Sequence, residues 1–169
     1  MSGLIKHILG VDPGLHHTGW AIISEQGNKM GFVSSGTIKT NPKDGLPTRL
    51  KNISNGLNEA LANFDISTAA IEETFVNKNS LSSLKLGHAR GAIIVTLANM
   101  DLDISEYSTT HIKKAVAGTG RADKNQIEVM VKMLLPTAKP NNDHEADAIA
   151  IAICHANNQG YNGYIRNAS

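Results

Sequence analysis

The sequence predicts an α/β fold: a mixed five-stranded sheet flanked by helices. Three observations point there. Three strand-like segments follow one another with short turns inside the first 38 residues. Helical and strand-like patterns then alternate. Past residue 108 the apolar spacing is helical only. The order reads βββαβαβααα. Strands joined by short turns form an antiparallel meander, and the later strands, joined through helices, run parallel to the first.

Each element has its own signal. Residues 4–11 are an apolar run interrupted by Lys6 and His7, and the run ends at the turn Asp12-Pro13-Gly14. Residues 18–24 and 30–38 are the second and third strands, joined around Gln26-Gly27-Asn28. Leu46, Leu50, Ile53, Leu57, Leu61 and Phe64 recur at the spacing of an amphipathic helix over 46–63. Residues 67–72 form a short buried strand ending at Glu72. A long helix spans about 80–99 and a strand about 103–107. A short helix over 109–117 is broken by Gly118-Thr119-Gly120. A helix over 123–135 follows, and Pro136 and Pro140 bracket a loop. The last helix runs over 143–157, with Asn142 as N-cap and Glu145 completing a capping box. The polar, Gly/Asn-rich residues 158–169 read as a frayed, flexible tail.

At 169 residues and 41% apolar content the chain is one globular domain, assigned to residues 1–157. No apolar stretch is long enough to span a bilayer, and the first charges come too early for a signal peptide. The single cysteine, Cys154, excludes a disulfide framework and a cysteine-based zinc site. Together these place the protein in a reducing cytoplasm and away from membranes. The net charge is +1, unevenly spread. Residues 77–132 hold eight Lys/Arg against five Asp/Glu, while the segments on either side each carry one net negative charge. A basic zone between acidic flanks suits a protein that holds a polyanion near a carboxylate site. Ordinary surface scatter is the plain alternative.

Asp12 ends the first strand, Glu72 the fourth, and Asp147 lies in the first turns of the last helix with His144 three residues before it. Parallel strands set side by side bring their ends together. Converging carboxylates repel unless they are protonated or hold a cation. Oxygen-rich, sulfur-free ligand sets suit Mg²⁺, and two such ions about 4 Å apart serve in-line phosphoryl displacement. Taken singly, Asp12 also reads as a turn residue and Asp147 as a helix-dipole partner.

Several stretches together resemble one family. Gly10-Val11-Asp12-Pro13-Gly14-Leu15 with Thr18-Gly19-Trp20 is similar to the opening motif of the RuvC family, bacterial Holliday-junction resolvases. Ala70-Ile71-Glu72-Glu73-Thr74-Phe75 resembles its second-carboxylate segment, and Lys85-Leu86-Gly87-His88-Ala89-Arg90-Gly91 its long helix. Gly118-Thr119-Gly120-Arg121-Ala122-Asp123-Lys124 resembles its basic loop, and Glu145-Ala146-Asp147-Ala148-Ile149-Ala150 its last helix. The resemblance covers about residues 4–156 in order. It implies an RNase H-like fold, a homodimer, and Mg²⁺-dependent cutting of two strands of a four-way DNA junction in recombination and repair. It also implies two Mg²⁺ per site, with Mn²⁺ as substitute, and the RuvA–RuvB branch-migration complex as partner.

Carried over by position, Asp12, Glu72, His144 and Asp147 are the catalytic and metal-binding residues. Many members have Asp where this chain has His144, so the ligand set loses one charge and gains one nitrogen. Asp143 is an alternative ligand or a first-turn dipole residue. The DNA-binding candidates are Phe75, Lys78, Lys85, Arg90, Lys113, Lys114, Arg121 and Lys124. A solvated face is the plain reading for the basic ones, and a core position for Phe75. His16 and His17 read as surface residues near phosphates, and His88 and His111 as helix-surface or capping groups. Small and apolar residues of the long helix, Gly87, Ala89, Gly91, Ile93, Ile94, Val95 and Leu97, make it the candidate dimer seam. Three rival functions are weaker. An actin-like nucleotide-binding half lacks its second phosphate loop. A YqgF-type nuclease lacks the long helix and the 118–124 loop. A module without chemistry would not keep Asp12, Glu72 and Asp147.

Overall fold

The structure, a computed structural model, describes residues 3–73 and 78–166. Its strands are β1 (Lys6–Asp12), β2 (His17–Gln26), β3 (Lys29–Lys39), β4 (Thr68–Glu72) and β5 (Ile104–Tyr107). Its helices are α1 (Leu46–Leu61), α2 (Ser80–Ala98), α3 (Thr109–Ala117), α4 (Lys124–Leu134) and α5 (Asp143–Arg166). The sheet order is β3-β2-β1-β4-β5. β1, β2 and β3 pair antiparallel, whereas β4 runs parallel to β1 and β5 parallel to β4. This is the mixed five-stranded sheet the sequence predicts.

Strand alternation divides the apolar residues between two cores. Ile8 of β1, Ala21 and Ile23 of β2 and Ala70 of β4 pack with α3, α4 and α5 on one face. Leu9, Val11, Ile22 and Ile71 pack with α1 and α2 on the other. The middle of α5, Ala148 to Cys154, is buried, which is why its sequence is apolar all round there.

The helix ends follow local chemistry. Asn79 accepts from the backbone N–H groups of Leu81 and Ser82, and Ser108 from that of His111. Asp123 and Gln126 form a capping box at α4, and Gly118 closes α3 at φ 80°. At α5 the Asn142 side chain does accept from the Glu145 N–H, at 3.0 Å. The return half of the expected capping box is different. Glu145 accepts from the Asn141 N–H at 3.1 Å and reaches across to Ser35 and Thr37 of β3. The helix also continues to Arg166, past the boundary expected near residue 157.

Two glycines let α5 lie directly on the sheet. A Cβ on Gly10 of β1 would collide with the carbonyl of Ala148, and one on Gly19 of β2 with the carbonyl of His144. The N-terminal turns of α5 therefore settle over the ends of β1 and β2, where Asp12 pairs with Gly19.

Candidate active site

Asp12 and Glu72 are the last residues of neighbouring parallel strands. Val11 pairs with Ile71, so the two carboxylates leave the sheet at one level. α5 crosses that edge. His144 Nδ1 lies 3.1 Å from Asp12 Oδ2, and Asp147 follows one turn later. The Thr109 hydroxyl at the start of α3 donates to Glu72 Oε1 at 2.6 Å.

The electrostatics bind these groups into one site. Burial pushes the Asp12 carboxyl up to about 7. The His144 hydrogen bond opposes that rise, and the negative charges of Asp147 and Glu72 add to it. Burial also raises Glu72, with the Thr109 hydrogen bond and the Lys113 charge opposing and Asp147 adding. Asp147 is raised by desolvation as well, against the pull of Lys124. Each carboxylate feels another. Among the described residues no cluster of three or more His, Cys, Asp or Glu is close enough to hold one ion unaided. Asp147 and Glu72 press on Asp12, Asp147 presses on Glu72, and an Asp–His pair stands at one side.

Of the two candidates for a fourth position, His144 faces Asp12, while Asp143 ion-pairs with Lys124 of α4. That pair holds Asp143 below the usual carboxylate range. His17 takes a place the sequence reading did not give it. Its ring stacks on that of His144, with centroids 5.1 Å apart and planes 16° from parallel. His17 and Gly19 are two apart on β2 and share a face, and Gly19 is the residue on which His144 rests. That alternation was the available signal. Thr109 had none, because its partner lies 37 residues away.

The basic candidates fall into two groups. Lys113, on α3, and Lys124, on α4, line a groove of about 610 Å³ that reaches Asp147. Lys132 and Lys139, which the sequence reading did not select, line it too, with Ile127, Val131 and Ala138. Lys114 and Arg121 are exposed nearby in chain order, at the end of α3 and in the loop after it. Lys78 and Lys85 are exposed on the approach to α2 and on α2, across the sheet from this groove. Arg90 departs from the set, since its guanidinium ion-pairs with Glu106 of β5. Phe75 lies outside the described residues.

The family comparison agrees with this geometry. A family model for the crossover junction endodeoxyribonuclease RuvC matches residues 8–155. The RuvC of Mesorhizobium japonicum is 48% identical over 152 residues, covering 90% of both chains. The chain belongs to the RuvC family. A second member, from Citrifermentans bemidjiense, is 44% identical over 95% of this chain and 98% of its own. Among solved structures, Thermus thermophilus RuvC in complex with a Holliday junction substrate superposes with a TM-score of 0.86 at 30% identity, covering 91% of this chain and 94% of that one. The yeast mitochondrial Holliday junction resolvase Ydc2 shares the fold at a TM-score of 0.64 and 14% identity. This RuvC chain is thus a crossover junction endodeoxyribonuclease, and among its described residues no helix is long and apolar enough to cross a membrane.

Proposed function

We propose that the protein resolves four-way DNA junctions as a homodimer, by paired phosphodiester hydrolysis at the Asp12, Glu72, His144 and Asp147 site of each subunit. The observation that carries this is the convergence of those side chains where β1, β4 and α5 meet. Their donor chemistry fits hard divalent cations. Burial raises all three carboxylates, with Asp147 and Glu72 adding to the rise at Asp12 and Asp147 to that at Glu72, an imidazole nitrogen stands beside them, and no thiolate is near. Asp12, Glu72, His144 and Asp147 would hold two Mg²⁺, or Mn²⁺ in their place. Bound there, such ions neutralise charge at the scissile phosphate and lower the pKa of water.

The remaining work belongs to side chains of the protein. Thr109 fixes one oxygen of Glu72 and leaves the other free. His144 holds Asp12 on Oδ2 and leaves Oδ1 free. Lys113 and Lys124 bring positive charge beside the carboxylates, where a phosphate backbone would run. Lys114 and Arg121 extend that surface, while Lys78 and Lys85 on the opposite face of the sheet would meet a different stretch of the junction; Arg90 is left out because Glu106 engages it. One chain offers one site, and two matched cuts need two. The seam we assign is α2. Leu81, Leu84 and Val95 are 60%, 56% and 60% exposed, and among the described residues nothing stands over Gly87 or Gly91. Residues 1–157 form the nuclease domain, which works in the bacterial cytoplasm with RuvA–RuvB as partner.

The test is a junction-cleavage and binding assay on three variants. Asp12→Asn, Glu72→Gln and Asp147→Asn should each abolish cleavage with Mg²⁺ while junction affinity stays near wild type, since binding rests on phosphate contacts. Cleavage within tenfold of wild type in any of them would remove that residue from the site. Sedimentation equilibrium at micromolar concentration should give twice the chain mass, and a Leu84→Glu variant should return it to the monomer.

A further inference from the structure

We infer that His17 is a positioning residue that fixes the ring of His144. The inference rests on the site reading above, because it concerns how one member of that site is held.

His144 sits in the first turn of a helix, and its side chain is 41% exposed. An imidazole so placed has open rotamers, and one hydrogen bond to Asp12 at 3.1 Å fixes one atom of the ring but not its plane. The plane is set by His17. The two rings lie nearly parallel, 16° apart, at 5.1 Å between centroids, which is an offset stack. When Asp12 is ionised, its carboxylate can only accept, so Nδ1 is the donor and in the neutral ring Nε2 keeps its lone pair. A carboxylate on one ring nitrogen sets the tautomer in this way, and the stack adds the orientation.

His17 can serve as a wall only if it is itself immobile, and the turn that carries it is pinned. Thr18 donates its hydroxyl to the Gly14 carbonyl at 2.7 Å. The Thr40 N–H donates to the His16 carbonyl at 3.1 Å, and the ring of His16 meets the Thr40 carbonyl at 3.1 Å. Arg49 on α1 donates to the Thr40 hydroxyl at 2.9 Å and to the Leu15 carbonyl at 3.2 Å. The ring of His16 also lies against that of His17, with centroids 4.2 Å apart and planes tilted by 59°. A residue free to move would not need this scaffold, and a wall that orients a neighbouring ring does.

The decisive experiment compares His17→Ala with His17→Phe in the full-length protein, reading two properties besides cleavage. The first is the ¹⁵N–¹H long-range spectrum of the His144 ring, which reports its tautomer. The second is Mn²⁺ affinity without DNA, by counting free Mn²⁺ in electron paramagnetic resonance. Phe keeps a flat ring without nitrogen, so it should preserve the wild-type tautomer and affinity. Ala removes the wall, so the His144 ring should turn away from Asp12, its tautomer signals should average, and Mn²⁺ affinity should fall about tenfold, the lower end of losses at groups that orient a metal ligand. Thermal melts should show both variants folded. A wild-type tautomer pattern in His17→Ala, or a His17→Phe as impaired as His17→Ala, would overturn the inference. His144→Ala separates the two readings. If it leaves Mn²⁺ affinity unchanged, His144 is no ligand and the site reading fails there. The tautomer spectrum of the His17 variants still decides the stack.

Discussion

The Ser35 hydroxyl donates to the Glu145 carboxylate at 2.8 Å, and this contact ties the first turn of α5 to an edge strand of the sheet. Glu145 is 3% exposed, and it also accepts from the backbone and side chain of Asn141 and from Thr37. A carboxylate buried so deeply persists because its acceptor sites are filled. His144 and Asp147 stand one residue before it and two after it. The register of both catalytic candidates therefore depends on a residue that faces away from the cleft.

The first expected outcome concerns this anchor. Glu145→Ala leaves the hydroxyl of Ser35 and the Asn141 amide without their partner, and should lower the unfolding free energy by about 3 kcal/mol. Ser35→Ala removes one charge-assisted hydrogen bond of several and should cost about 1 kcal/mol. Urea denaturation followed by circular dichroism measures both. A Glu145→Ala loss no larger than that of Ser35→Ala would mean the carboxylate is not the hub of the contact.

A second outcome follows from the close approach at Gly19. Its Cβ would strike the His144 carbonyl, which is backbone and cannot rotate aside. Gly19→Ala should destabilise the protein by about 1–3 kcal/mol through overpacking. It should also push the N-terminus of α5 away from Asp12, so cleavage should fall further than stability does. Gly27→Ala is the contrast. Gly27 has open space around it and a φ of 60°, so its cost comes from backbone strain alone and cleavage should be kept.

Most of the fold was legible because each element carries a local signal: alternation in β1 to β3, 3.6-residue spacing in α1, glycine or proline at the breaks. The three carboxylates were legible for a related reason. Strand ends and helix starts are positions that a linear reading can locate. Contacts between distant segments were not. Nothing around Thr109 signals Glu72, and nothing around Arg90 signals Glu106, so neither contact was expected. The surface reading of His17 did not include its contact with His144, because the pattern showed a His pair after a turn without showing that α5 would descend on Gly19 beside it. The end of α5 was placed early because its polar residues past 157 resemble a loop in composition, yet the helix continues through them to Arg166.

The third outcome is a pH dependence, and its sign is fixed by the direction of the shift. The carboxyl of Asp12 titrates at about 7 in the folded chain against 3.8 as its reference. Between those values the folded state binds more protons than the unfolded one, so stability falls as pH rises. In EDTA Asp12 should therefore subtract stability from about pH 4 to pH 7, against the opposite pull of His17 and His155, whose lowered pKa favours folding as pH rises, and Asp12→Asn should remove that downward contribution. Cation binding requires the ionised form, so Mn²⁺ affinity should climb over the same interval and level off above pH 7. Thermal melts in EDTA and Mn²⁺ titrations across the interval test the two halves separately. A pH profile of the melting temperature that is the same in wild type and Asp12→Asn would contradict the buried position of Asp12.

The last outcome concerns the groove beside Asp147. Lys113 and Lys124 line it, but they are not equivalent. Lys124 is held by Asp143, whereas Lys113 lies near enough to Glu72 to lower its pKa. If each lysine meets one phosphate of the junction, each Ala variant should reduce the log–log salt slope of binding by about 0.9. For Lys124 that contact competes with Asp143. Asp143→Asn should therefore free the ammonium and tighten junction binding at low salt by a factor of about two to five, the scale of one exposed ion pair. In a Lys124→Ala background the same Asp143→Asn change should have a smaller effect, because only general repulsion is relieved. Titrations at several KCl concentrations on the four proteins of this cycle give the coupling directly. A zero coupling would show that Lys124 meets the DNA without leaving Asp143, or does not meet it at all; an unchanged salt slope in Lys124→Ala would select the second.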